Sequence, residues 1–389
     1  MIPVMDLDKQ YKSIKKEVLK KIQEVVESKK YIQGPYADRF AEEFSKAQHC
    51  LYTVGCSNGT AAISTAMEAL NIGPGDEVIT TPFTFIATTE AILKVGAKPV
   101  FVDVNPDDYT INPSLIEKAL TKKTKAILPV HIFGYPSDMG KIRDIAKKHR
   151  LKIIEDCAQA HLANIDGNYV GSFSHVGTFS FYPGKNLGAY GDAGAIVTNS
   201  KETWLKCRML IDHGRKEKYL HTILGNNHRM DGLQAAILSV KLKYLERWTK
   251  KRRDHAQLYD KLLRHNPAIK IPRVEKGRIH VYHLYVVGVK NRKEVLDYLI
   301  RNGVNTAIHY PIPLHLQPSL KFLGYKKGDL NTQKAITALI KEWQREKEKI
   351  FLQAKNPIKQ HMIYFHLIDK YFVKFMRTLN NNQNHQQIG

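Results

Sequence analysis

The chain has 389 residues and a formal net charge of +23, from 60 Lys and Arg against 37 Asp and Glu. That length supports two domains with their own cores, so no cross-links are needed; Cys50, Cys56, Cys157 and Cys207 show neither CxxC nor Cys/His ligand spacing, which argues against structural zinc, leaves no metal expected and fits the reducing cytoplasm. No stretch nears the roughly 18–20 apolar residues of a spanning helix, the N-terminus has no apolar signal region, and the basic residues lie along helical patterns rather than in one arm. A soluble protein without membrane contact is expected. No helix-turn-helix, RNA-binding aromatic motif or zinc-finger spacing calls for nucleic acid, whereas small anionic substrates stay open.

From about residue 48 to 200, apolar strand-like runs alternate with helix-like ones: AAISTAMEAL, DEVITT, TTEAILKVG, KPVFVDV, SLIEKAL, TKAILPVH, MGKIRDIAKKHR, LKIIEDCA. This alternation predicts an α/β fold with a largely parallel sheet and helices on its faces. Ligands of such sheets gather at the carboxyl ends of the strands, here just after VITT, AILPV and KIIED. Residues 231–263 read as one long amphipathic helix. RIHVYHLYVVGV, RKEVLDYLIRNGV and NTAIHYPIPLH then give strand, helix and strand of a smaller α+β domain. The expected division is 1–245 for the large domain with its N-terminal helix, 246–330 for the small C-terminal domain, and 331–389 for an atypical basic tail ending in an Asn/Gln tract, disordered in part.

The stretch FSFYPGKNLGAYGDAGAIVTN carries Lys185 just after a proline turn. A lysine in a partly desolvated pocket loses basicity and offers a neutral amine to carbonyl groups. Its company singles it out. IIEDCAQAH puts Asp156 at the end of an apolar strand, with Gln159 and His161 behind it. A carboxylate there is costly without a cationic partner, although capping a helix would also account for it. GCSNGTAAISTAMEAL is a small-residue loop entering a helix, so Gly59 and Thr60 would offer free amides to a phosphate. There is no GK[ST] and no GxGxxG, against nucleotide hydrolysis and dinucleotide binding. Phe85, in TPFTFIATTEAI, stands where a ring can cover a planar cofactor, or simply join the core. Lysine, carboxylate, aromatic ring and phosphate loop together describe a site for pyridoxal 5′-phosphate (PLP).

With these residues in hand, the chain resembles the DegT/DnrJ/EryC1/StrS family of PLP-dependent sugar aminotransferases, of fold type I. The resemblance runs from residue 1 to about 330, through YIQGPYADRFAEEF, SNGTAAI, GPGDEVITTPFTFIATTEAI, IIEDCAQAH, FSFYPGKNLGAYGDAGAIVTN, HGRKEKYLHTILGNNHRMDGLQAAIL and AIHYPIPLHLQP. It implies that Lys185 is the Schiff-base lysine and the acid/base of transamination. Asp156 would pair with the pyridine nitrogen, Gln159 with the ring hydroxyl, and Phe85 would stack. Gly59, Thr60 and Ser180 would contact the phosphate, with Asn227 reaching it from the other subunit of a homodimer that shares its active sites. Arg215, Tyr219, Arg229, His309 and Tyr310 lie in the segments that match the family's nucleotide-sugar contacts, although surface or structural roles would also suit them.

The implied reaction moves an amino group from L-glutamate to a nucleotide-linked keto-hexose, and GKNLGAYGDAGA leans toward the branch that acts on 3-keto sugars. The product would serve glycan or glycosylated-metabolite biosynthesis. Keto-inositol amination, sugar dehydration and a non-catalytic PLP- or nucleic-acid-binding regulator are the rival readings. Two departures stand out. Leu162 follows His161 where the family commonly has glycine, and after LGYKKGDL the family's proline-led helix and SLP strand are not recognisable.

Overall fold

The computed structural model describes residues 6–289 and 292–332, together with the backbone of Thr337–Leu339. Seven strands form the central sheet: Tyr52–Cys56 (β1), Glu77–Thr80 (β2), Lys98–Phe101 (β3), Thr124–Ile127 (β4), Lys152–Asp156 (β5), Val176–Ser180 (β6) and Gly194–Thr198 (β7), in the order β1-β7-β6-β5-β4-β2-β3. From β6 through β5, β4 and β2 to β3 all neighbours are parallel, while β7 runs antiparallel to β6 and β1. Every residue of β2 and β7 is buried, as expected of strands covered on both faces.

The covering helices start where polar side chains satisfy their first amides. Asn58 caps Gly59–Ala69 (α3), Asp138 caps Met139–His149 (α5) and Ser200 caps Lys201–Leu210 (α6). Asp8–Ser28 (α1), Gly34–Ala47 (α2) and Ala87–Lys94 (α4) complete the set before the long helix Gly232–Leu263 (α7). With 32 residues α7 is about 48 Å long. It seats Ile237 and Val240 against Ile14 and Val18 of α1, and Ala235, Leu238 and Leu245 against Phe40 and Phe44 of α2. The helix passes unbroken through position 245.

A second sheet follows α7: Ile269–Lys270 (β8), Val286–Val289 (β9), Ala307–His309 (β10) and Thr337–Leu339 (β11), antiparallel in the order β8-β9-β11-β10. Arg292–Arg301 (α8) joins Tyr259, Leu263 and Val287 around Val295 and Leu299. The expected basic tail lies outside the described residues except for Asn331, Thr332 and the backbone of β11.

Two expected elements differ. SLIEKAL makes two 3₁₀ turns, Pro113–Leu115 and Glu117–Ala119, because Asn112 and Pro113 start the segment as a tight turn and Leu120 is extended before a full α-helix can form. RIHVYHLYVVGV is not one strand: Arg278–Ile279 pairs with Asn164–Ile165, and residues 280–285 leave the sheet before β9. There Tyr282 adopts φ 46° and donates its amide to His280 Nδ1. The backbone so released is used elsewhere. Val281 N donates to Gly134 O (3.0 Å), and Val281 O accepts from Asn186 Nδ2 (3.0 Å), beside Lys185.

Candidate active site

Asp156 ends β5 as a buried carboxylate. Thr88 Oγ1 donates to its Oδ2 (2.9 Å) and Ala158 N to its Oδ1 (3.1 Å). Burial pushes its pKa up, opposed by those two hydrogen bonds and by the nearby Lys185 ammonium. Lys185 is half-buried in the turn after Pro183, its amide donating to Tyr182 O (2.8 Å). Desolvation lowers its ammonium pKa to about 8, with Asp156 working in the opposite direction. At pH ~7.5 that leaves about one amine in four neutral, against roughly one in a thousand for an ordinary lysine. A carboxylate and a reactive amine therefore face one space at the carboxyl ends of β5 and β6.

The walls of that space come from neighbouring loops. Gln159 accepts from Phe133 N (2.6 Å) and donates to the Tyr310 hydroxyl (3.1 Å). Phe85 follows β2 and keeps 58% of its surface exposed, whereas Phe83, two residues earlier, is a core side chain against Tyr109, Phe133 and Tyr310. At the other end α3 begins at Gly59, where a methyl would stand 2.7 Å from Ser180 Cβ. Its partner contact is equally tight, since a Cβ on Gly194 would lie 2.4 Å from the Asn58 carbonyl. The glycines let the helix start press onto the ends of β6 and β7, which brings the first amides of α3 beside the Ser180 side chain. Asn58 occupies only the Ala61 amide (2.8 Å). The first-turn amides of Gly59 and Thr60 have no acceptor within the helix, and its dipole favours an anion there.

This cradle fits PLP in kind. An anion site closed by glycine lies at one end, a buried carboxylate and a hydrogen-bonding amide at the other, an exposed ring forms a wall, and an amine of lowered pKa stands between. Thr88, Phe133 and Asn186 belong to the supporting structure without having been singled out from sequence. Thr88 sits three residues after Phe85 in FIATTE and carries a usable signal, a hydroxyl facing inward on the helix that Phe85 precedes. Phe133 acts through its backbone and leaves none. His161 packs against Phe44, Phe179 and Phe181, and desolvation drives its pKa down to about 3, so it stays neutral. The neighbouring Leu162 holds φ 67°, a left-handed conformation that glycine would adopt freely.

The candidate substrate residues, taken with the candidate cofactor residue Asn227, are divided. Arg215 and Arg229 both pair with Asp212, the latter at 3.1 Å. Tyr219 is 84% exposed between Arg215–Glu217 and Leu220–His221, and Asn227 is exposed opposite Asp212. Among the described residues no hydrogen bond or ion pair joins these four to Lys185, Asp156 or Gln159. His309 closes β10 and Tyr310 follows it; of the two, Tyr310 reaches the site, where its hydroxyl accepts from Gln159, and burial pushes its phenol pKa up.

This geometry is that of a fold-type I transaminase. Residues 12–341 match the DegT/DnrJ/EryC1/StrS aminotransferase family, and the chain belongs to it. The match starts after the first eleven residues and continues past 330 to include β11. The chain is 46% identical over 331 residues to a "Pleiotropic regulatory protein" of Geobacillus stearothermophilus, covering 85% of this chain and 89% of that one. It is 41% identical over 329 residues to the "dTDP-3-amino-3,4,6-trideoxy-alpha-D-glucose transaminase" of Streptomyces venezuelae, covering 85% and 87%. The crystal structure of S. venezuelae DesV with a ketimine intermediate superposes with a TM-score of 0.87 at 37% identity, covering 90% of this chain and 96% of that one. The protein is an aminotransferase that works with PLP.

Proposed function

We propose that the enzyme moves the amino group of L-glutamate onto C3 of a nucleotide-linked keto-hexose, as a cytoplasmic homodimer, in the synthesis of a glycan or glycosylated metabolite. The observation that carries the transaminase chemistry is the Lys185–Asp156 pair beside the Gly59 cradle. The acceptor rests on the relatives, which include transaminases named for dTDP-linked 3-amino sugars and UDP-linked 3-oxo sugars, and on the sequence GKNLGAYGDAGA.

When bound, PLP supplies an electron sink that makes the proton on the amine-bearing carbon labile. The rest falls to the chain. Asp156, held by Thr88 and Ala158, would keep a carboxylate at the ring nitrogen; Gln159 would orient the ring hydroxyl; Phe85 would cover one face; Gly59, Thr60 and Ser180 would hold the phosphate. Lys185, once its amine is free, takes and returns the proton. Glutamate leaves as 2-oxoglutarate before the keto sugar enters, so one site serves both half-reactions. Arg215 and Arg229 are the cations for the nucleotide diphosphate, and Asn227 serves the partner's phosphate site, which suits the exposure of that segment in a single chain.

The test is to incubate the purified PLP-loaded protein with glutamate and a panel of dTDP- and UDP-linked 3-keto and 4-keto sugars, and to follow products by mass spectrometry. Amination of a 3-keto member with equimolar 2-oxoglutarate is expected. Amination of 4-keto members alone would overturn the C3 assignment, and no sugar product with any member would overturn the substrate class. The regulator reading has one observation in its favour, the description of the Geobacillus relative. It requires tight nucleic-acid binding that falls steeply with salt.

A further inference from the structure

Behind Asp156, His131, Glu155 and Cys157 form a fully buried group whose donor atoms all lie within 4.8 Å of one another, a composition suited to a metal. The hydrogen bonds assign it another role. His131 Nδ1 accepts from Ser137 N (3.0 Å), so the ring proton sits on Nε2 and is donated to Glu155 Oε2 (3.0 Å). Glu155 also accepts from Gly171 N (2.9 Å) and Ser174 Oγ (2.8 Å). The carboxylate thus has three donors, both imidazole nitrogens are engaged, and burial holds Cys157 as a thiol. A cation would have to displace this network.

The network spans two segments that meet at the site. Successive residues of a strand point to opposite faces, so Glu155 lies on the far side of β5 from Asp156. Asp156 N donates to Pro129 O (2.9 Å) and His131 N to Asp156 O (3.1 Å). Two residues beyond His131, the Phe133 amide holds Gln159 (2.6 Å). Loop 129–137 therefore touches both Asp156 and Gln159, and the Glu155–His131 bond ties that loop to β5 from behind.

We propose that Glu155 and His131 are positioning residues: their buried hydrogen bond holds the Phe133 loop against β5 and so sets Asp156 and Gln159 relative to each other at the cofactor ring. This rests on the reading that Asp156 and Gln159 face that ring. The imidazole acts as a strut with a fixed tautomer, not as a proton carrier.

Two variants separate the strut from general packing. His131→Asn keeps an acceptor for Ser137 N but is too short to reach Glu155, while His131→Gln places an N–H near the position of Nε2. The readouts are the pH midpoint of the bound cofactor's visible absorption and its dissociation constant, with melting of the cofactor-free protein alongside. His131→Asn should move the midpoint by about half a pH unit or more and weaken cofactor binding about tenfold, the scale on which supporting groups act on a bound centre, while His131→Gln stays within about twofold. Equal effects of the two variants, or lower melting temperatures with an unmoved midpoint, would overturn the proposal. Should His131→Asn not fold, Glu155→Asp, which shortens the other partner of the same bond, takes its place with the same outcomes. Asp156→Asn is the control. If it leaves the midpoint unmoved, the site reading itself fails and this proposal with it; if it moves the midpoint and His131→Asn does not, only the proposal fails.

Discussion

Gly59→Ala puts the phosphate cradle to a steric test. The added methyl would stand 2.7 Å from Ser180 Cβ and 3.3 Å from Ser180 Cα. Carbon atoms pack comfortably only from about 3.5 Å, so the start of α3 must back away from β6 by roughly 0.8 Å. That retreat pulls the Gly59 and Thr60 amides away from the Ser180 hydroxyl, and a hydrogen bond to a charged group is worth about 1.5–3 kcal/mol. Losing the equivalent of one such bond should weaken PLP binding about 10- to 100-fold. Ser180→Gly removes the proposed phosphate contact as well as the atom the methyl strikes. On that background Gly59→Ala finds room, so the double variant should bind PLP within about threefold of Ser180→Gly alone. Titration of PLP into the cofactor-free proteins, followed by absorbance, gives the four dissociation constants. Costs that simply multiply in the double variant would refute the steric account, and a Gly59→Ala protein that binds like the parent would remove α3 from the phosphate site.

Because desolvation lowers the Lys185 pKa to about 8, its capture by PLP, trapped with borohydride and located by peptide mass spectrometry, should accelerate with rising pH and level off above about pH 9. The reactive form is the neutral amine, so a rate still climbing about tenfold between pH 8 and 9, rather than about twofold, would mark an ordinary lysine. Phe85→Ala should leave the unfolding free energy of the cofactor-free protein within about 0.5 kcal/mol, since the ring is 58% exposed, yet speed PLP release several-fold; a stability loss above about 1 kcal/mol would make Phe85 a core residue. Leu162→Ala and Leu162→Gly should both destabilise in urea titrations, because the side chain is buried. Glycine should be the milder by about 1 kcal/mol, owing to φ 67°, and the opposite order would remove backbone strain from the argument.

The sheet was legible because parallel strands covered on both faces are written as short apolar runs, and LKIIEDCA and TKAILPVH are such runs. Asp156 was conspicuous for the same reason, a carboxylate closing a segment otherwise apolar, and Lys185 became readable once the glycine loop and Phe85 pointed to one cofactor. The supporting bonds were not legible. Thr88 meets Asp156 across 68 positions, Gln159 meets Tyr310 across 151, and Phe133 contributes only an amide that every residue has. SLIEKAL has helical spacing, but a proline start and an extended Leu120 confine it to 3₁₀ turns. RIHVYHLYVVGV alternates like one strand, yet its middle is drawn out of the sheet by Gly134 and Asn186, partners distant in sequence. The motif of Tyr310 predicts a substrate contact, and its bond to Gln159 sets it beside the residue proposed for the ring hydroxyl.

The junction at Val281 bears on how the site comes apart. Its carbonyl holds Asn186, next to Lys185, and its amide holds Gly134, next to the residue that fixes Gln159, while the chain leads on directly into β9. Lys185 and Gln159 thus hang from the two peptide groups that flank one residue, at the threshold of the second sheet. Local unfolding that frees Val281 releases both together, so the Gly134 and Lys185 loops form a single cooperative unit, and their amides should exchange with solvent deuterium as one kinetic class.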